Sequence, residues 1–179
     1  MPRKTHTLDL ATEADALDEQ AATLHERYEA ADDGSDVAKR ARTRGIQLDE
    51  QIAALEWALE EYGPDATIEV WELTPGEKAR YTDTLDHAQS QASSQGEQGG
   101  FGMAGIHWVA AAIRDAPWYP DDADGHDDRV RAINDPDGPV PQLIQWSKSK
   151  ATEVNSLGNP NKSGFAGRVK ATRQTSSPE

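Results

Sequence analysis

Residues 41–62 read ARTRGIQLDEQIAALEWALEEY, and within them Ala41, Gly45, Leu48, Ile52, Leu55, Leu59 and Tyr62 recur at alternating spacings of four and three. That is the heptad pattern, which gathers the apolar residues into one stripe of an α-helix. Upstream, Leu10, Ala14, Leu17, Ala21, Leu24 and Tyr28 repeat it, so residues 8–62 are predicted to form two helices. The segment Asp32-Asp33-Gly34-Ser35-Asp36 separates them. Gly34 can end the first helix, and Ser35 or Asp36 can cap the second. Each arm would be roughly 35–40 Å long at 1.5 Å per residue. An antiparallel hairpin lets the stripes bury each other, with Leu17, Leu24, Leu48, Ile52, Leu55 and Leu59 as the seam. A continuous helix is the alternative, because the register slips by one residue across the break. The small alanines and the glycine make the seam thin, so the hairpin packs on its own domain, on a second copy or on a partner.

Working outward, Gly63-Pro64-Asp65 stops the second helix. Thr67–Leu73 alternates, with Ile68, Val70 and Trp71 apolar, and is the best strand candidate in the chain. One strand cannot stand alone: it pairs with an unrecognised short strand, pairs with another subunit, or is merely extended. Thr74-Pro75-Gly76-Glu77 is a helix start, with Thr74 and Glu77 as a capping box and Pro75 at the first helical position. That helix carries Tyr81 and Leu85 and fades into a Gln/Ser/Gly-rich stretch, expected to be a flexible loop over 89–100. Residues 101–116 are the most apolar segment and are predicted as a buried helix ended by Pro117, flanked by Trp108 and Trp118. An acidic loop at 121–128, a short helix near Arg129–Asn134 and a turn at 135–139 follow. A last helix opens at Pro141 and carries Leu143, Ile144, Trp146, Ala151, Val154 and Leu157. From 158 the composition turns to Gly, Asn, Ser and Lys, as in a disordered basic tail.

The resulting expectation is a mainly α fold. A hairpin over 1–62 precedes a small helical domain over 63–157 with at most a minor strand element, and a tail over 158–179 follows.

The whole chain has 179 residues and a net charge of −14. Residues 1–147 hold 12 basic and 30 acidic side chains, whereas 148–179 hold 6 and 2. An acidic body disfavours nonspecific binding to nucleic acid or anionic lipid. With 7 Lys against 11 Arg, the composition suits a halophilic cytoplasm, where molar salt screens self-repulsion. No run approaches 18 apolar residues, so no transmembrane helix is expected. The basic start at Met1–Lys4 lacks a following apolar region, so neither is a secretory signal. Without cysteine there is no disulfide, thiol catalysis or Cys-ligated zinc.

Motifs that would carry chemistry fall short. In the acidic loop, with Gly125 at the sixth position of a calcium loop, Pro120 and Arg131 stand where the first and twelfth ligands belong. Residues 158–163 depart from a phosphate loop, having Ser156 and Asn161 where glycines are required. His6, His25, His87, His107 and His126 are scattered, with no pair at helical spacing, and His107 reads as a core or boundary residue rather than a base. No Gly-x-Ser-x-Gly elbow occurs. No catalytic, metal or cofactor site is therefore assigned, and the chain is read as a non-enzyme. The basic residues Lys162, Arg168, Lys170 and Arg173 could touch nucleic acid, but only Phe165 offers a stacking platform.

Over 67–165 the order of elements resembles the tail assembly chaperones of long-tailed viruses. The likeness is carried by the extended segment running into Leu73-Thr74-Pro75-Gly76-Glu77, the apolar helix with Trp108 and Ile113, Arg129–Asn134, and Pro139-Val140-Pro141-Gln142-Leu143-Ile144-Gln145-Trp146. Asn155 and Gly158-Asn159-Pro160-Asn161 complete it. The resemblance implies binding rather than catalysis, with tape-measure and tail-tube proteins as partners and no catalytic residues to carry over. Acidity would fit a virus of a halophilic archaeon, acting in the cytoplasm of the infected cell or within the virion. The hairpin is a departure from compact members of that group and offers a homo-oligomer contact. Tyr81, Leu85, Leu143 and Trp146 are the apolar residues expected to meet a protein partner. The alternatives are a structural adaptor of a virion or other complex, and a nucleic-acid-associated protein using the basic tail.

Overall fold

The computed structural model describes residues 4–83 and 100–156, with side chains described from 103 in the second stretch. The loop expected at 89–100 falls outside them except for Gly100, and so do Leu85 and the tail at 158–179.

The chain is mainly helical with a small antiparallel sheet. Strand β1 (Thr5–Asp9) runs directly into helix α1 (Leu10–Glu29). Asp9 makes the change of direction: it is the last strand residue, and its carboxylate accepts the amide of Thr12 at 2.7 Å as the helix N-cap. The same hydrogen bond holds the Asp9 carboxyl below its ordinary value. Helix α1 ends at Glu29, earlier than a Gly34 cap would place it. Gly34 instead supplies the positive φ of 73° within the turn. Ser35 caps α2 (Asp36–Tyr62), its hydroxyl accepting from the amide of Ala38 at 3.1 Å. Gly63, at φ 99°, closes α2, its backbone N–H donating to the Leu59 carbonyl at 3.0 Å.

The two helices form the antiparallel hairpin, not a continuous rod. Along the seam Leu17, Leu48 and Leu55 are buried, and Leu24, Ile52 and Leu59 are half-buried. Burial fades toward the turn. Leu55 has no exposure, whereas past Leu24 the seam is filled by Ala38 and Ala41 alone.

Strand β2 (Thr67–Trp71) is the centre of the sheet, between β1 and β3 (Ile113–Asp115). Its alternation works as the sequence suggests: Ile68 and Val70 are fully buried, with Glu69 and Trp71 half-buried on the opposite face. Both partner strands are departures from expectation. Residues 8 and 9 are strand rather than helix, and the apolar helix α4 (Gly100–Ala112) stops four residues short of its expected end. Ile113 and Asp115 pair with Val70 and Glu69, and the register slips at Arg114 as a bulge. Ladder hydrogen bonds there replace the helical ones that would otherwise continue to Pro117.

Residues 75–83 form helix α3, opened by the expected box in which Glu77 accepts from the Thr74 amide at 2.9 Å. The short helix is α5 (His126–Ile133), and the last is α6 (Pro141–Ser156). One core joins both expected segments: Leu10, Leu17, Leu48 and Leu55 pack in the same cluster as Ile68, Val109, Ile113, Leu143 and Trp146. An ion pair between Lys150 and Glu13 ties α6 to α1.

Candidate functional site

Helix α6 is amphipathic, and the fold settles where each face goes. Leu143, Trp146, Ser147, Ala151 and Val154 are buried. Leu143 is wholly enclosed and Trp146 is 1% exposed, so these two expected partner contacts are occupied by the chain's own core. Tyr81 is half-buried: its hydroxyl donates to the carbonyl of Ala104 at 2.8 Å and its ring lies 4.8 Å from that of Trp108. Burial raises its hydroxyl's pKa. Tyr81 thus anchors α3 on α4, leaving little of its ring for a partner.

The opposite face of α6 borders an open groove of about 1110 Å³. Pro141, Ile144, Gln145, Lys148, Ser149, Thr152, Glu153 and Ser156 line one wall. They span the whole helix, about 22 Å at 1.5 Å per residue. Gly105 and Ile106 of α4, Ile133 of α5 and the loop through Val140 form the other wall. The loop keeps its place by tight turns: Gly138 donates to Asp135 at 2.9 Å, and a Cβ on Gly138 would sit 2.7 Å from the carbonyl oxygen of Ala132. Gly105 lets the Lys148 stem lie against α4, with Cδ at 3.4 Å from where a Cβ would stand. The groove thus has an apolar floor of Ile106, Ile133, Val140 and Ile144, and a polar rim with charges of both signs.

A second group of polar residues gathers behind α5. His107 Nδ1 lies 3.0 Å from His126 Nε2, with the rings stacked at 5.2 Å. One nitrogen donates and the other accepts, which requires at least one neutral ring. Burial, then His107, pushes His126 below the ordinary histidine range, with Arg129 and Arg114 adding to the effect and Asp127 opposing it. Arg129, at 3% exposure, donates from Nε to the Ala110 carbonyl at 2.8 Å and from Nη1 to the carbonyls of Ala123 and Asp124. It therefore caps the end of α4 and holds the acidic loop against it. That gives the loop a structural partner, and among the described residues no group of three or more His, Asp or Glu could hold a metal ion. His107 is half-buried at the α4 boundary. Nineteen residues separate it from His126, so no local spacing could reveal the pair.

No protein-family model, curated protein or solved structure significantly matches the chain. No helix among the described residues is long and apolar enough to cross a membrane.

Proposed function

We propose that this protein is a non-catalytic assembly protein that holds a helical protein partner along α6. The observation that carries the reading is the groove: about 22 Å of helix face, floored by Ile106, Ile133, Val140 and Ile144 and rimmed by Lys148 and Glu153. A helix of about four turns that presents an apolar stripe matches this length and chemistry. A compact metabolite would leave much of the floor wet. The sequence resemblance over 67–165 points the same way, to a tail assembly chaperone of a long-tailed virus whose partner is a long helical tape-measure protein. The site of action is then the cytoplasm of an infected cell, during virion assembly.

The test places a photo-crosslinking residue at Ser149, on the exposed rim, and recovers adducts from producing cells lysed in molar salt. Adducts to one long helical protein, abolished by Gln145→Trp within the groove and retained with Glu56→Gln on the hairpin, support the reading. Adducts that are nuclease-sensitive, or that ignore Gln145→Trp, overturn it.

A further inference from the structure

Helix α6 ends at Ser156, and Ser156 also lines the groove. The 23 residues that follow, 157–179, lie outside the described residues, but their point of departure is fixed at one end of the groove. Gly158-Asn159-Pro160-Asn161 comes first, a run of turn-forming residues that lets a chain reverse after a helix. About seven extended residues, at ~3.3 Å each, span the ~22 Å of α6. The segment is therefore long enough to double back along the whole groove.

Its chemistry matches the groove in order. Lys162, Arg168, Lys170 and Arg173 are basic, and Glu179 is the one acid in 157–179. The groove offers Glu153, about one turn from Ser156, and Asp135 in the loop that leads into Pro141. Asp135 and Gly138 also border a neighbouring hollow of about 310 Å³, which adds Asp122, Asp128 and Asp137 against a single cation, Arg131. Asp122, Asp135 and Asp137 are exposed, and none forms an ion pair with another described residue. Lys148 is the one cation lining the groove among the described residues, and its stem lies against Gly105. A segment running from Ser156 toward Pro141 sets Lys162 near Glu153 and Phe165, its largest apolar side chain, over the floor of Ile106 and Ile144. Arg168, Lys170 and Arg173 then reach the aspartates.

We propose that residues 162–173 occupy the groove as an internal ligand, which a partner helix must displace. Their tether supplies a local concentration of about millimolar, so modest contacts suffice for occupancy. The regulatory role rests on the function proposed for the groove, whereas the docking itself does not.

The chain has no cysteine, so Thr172→Cys takes a single nitroxide spin label on the full-length chain. The label should broaden the amide NMR signals of Asp135 and Gly138 and spare those of Glu26 and Glu29, an acidic stretch at the distal end of α1. Adding Phe165→Asp and Arg168→Glu should restore the broadened signals, with circular dichroism confirming an unchanged fold. Absence of broadening overturns the docking, as does equal broadening on α1 or broadening that survives the two changes. The same two changes, made without the label, should raise the yield of partner adducts at Ser149 on the order of tenfold, because they remove a competitor held at about millimolar concentration. Unchanged adduct yield overturns the regulatory role. Groove-dependent adducts without spin-label broadening would sink this inference and leave the partner reading standing. Broadening without any partner adduct would do the reverse, leaving a groove that serves the chain's own segment.

Discussion

The side-chain oxygen of Asn155 accepts the amide of Leu73 at 2.8 Å, while the same side chain's amide group donates to the carbonyl of Trp71 at 3.2 Å. One asparagine in the last turns of α6 thus treats the end of β2 as a neighbouring strand would. Its own carbonyl also receives the Lys78 ammonium at 2.9 Å, so hairpin-side sheet, α3 and α6 converge on it. Asn155→Ala leaves the Leu73 amide without its partner and should cost about 1–3 kcal/mol in urea unfolding. Asn155→Asp keeps the acceptor but turns a carboxylate toward the Trp71 and Ala151 carbonyls, so it should be destabilised at neutral pH and recover as the carboxyl protonates.

Arg129 should prove the more sensitive position. Arg129→Met preserves the buried stem but strips three carbonyls of their donor, a loss on the order of 3 kcal/mol. Because the guanidinium also disfavours a second positive charge nearby, the His126 resonance should titrate at higher pH in this variant. Both effects are measurable, by denaturation and by NMR titration. An unchanged melt would remove Arg129 from the role of loop anchor.

The histidine pair predicts a pH dependence. In the folded protein His126 is held below the 6.5 of an unperturbed histidine, so the neutral ring is the favoured form. Above 6.5 neither state takes the proton and stability is unaffected. As pH falls below 6.5 the unfolded chain binds it first, so stability declines until the folded-state pKa is reached and then levels off. His126→Gln should flatten that decline relative to the wild type between pH 7 and the onset of carboxylate titration. A parallel profile in the two proteins would exclude the pair as its source.

Along the hairpin, the cost of truncation should follow distance from the turn. Leu55→Ala empties a fully enclosed site and should cost about 2–5 kcal/mol, whereas Leu24→Ala, at a half-buried site, should cost a fraction of that. Equal losses at the two positions would mean that the distal seam is as well packed as the proximal one.

Salt should stabilise the protein. With 32 acidic and 18 basic side chains, self-repulsion opposes compaction at low ionic strength, and screening relieves it. The melting temperature should rise between low and molar KCl. A flat or falling curve would contradict the halophilic reading of the composition.

The hairpin was legible in residues 8–62 because helical periodicity and its stops are local: the stripe from Leu48 to Leu59, the cap at Ser35 and the Thr74–Glu77 box all depend on residues a few positions apart. The same locality hid β1 and β3. Nothing within residues 5–9 marks a strand, since its partner is Thr67–Trp71, some sixty residues on. Ile113 continues the apolar run of α4 so well that only pairing with Val70 takes it out of the helix. Which face of α6 stays open was hidden for a related reason. Periodicity reveals that α6 has an apolar stripe through Leu143 and Trp146, but not whether a core or a partner covers it. The tertiary structure turned that stripe inward against Val109 and Ile113, which left the opposite face of α6 to form the groove. His107 and His126 meet only because α5 folds back on α4. Contacts of this kind depend on how long segments pack, and that free-energy balance is written in no local pattern.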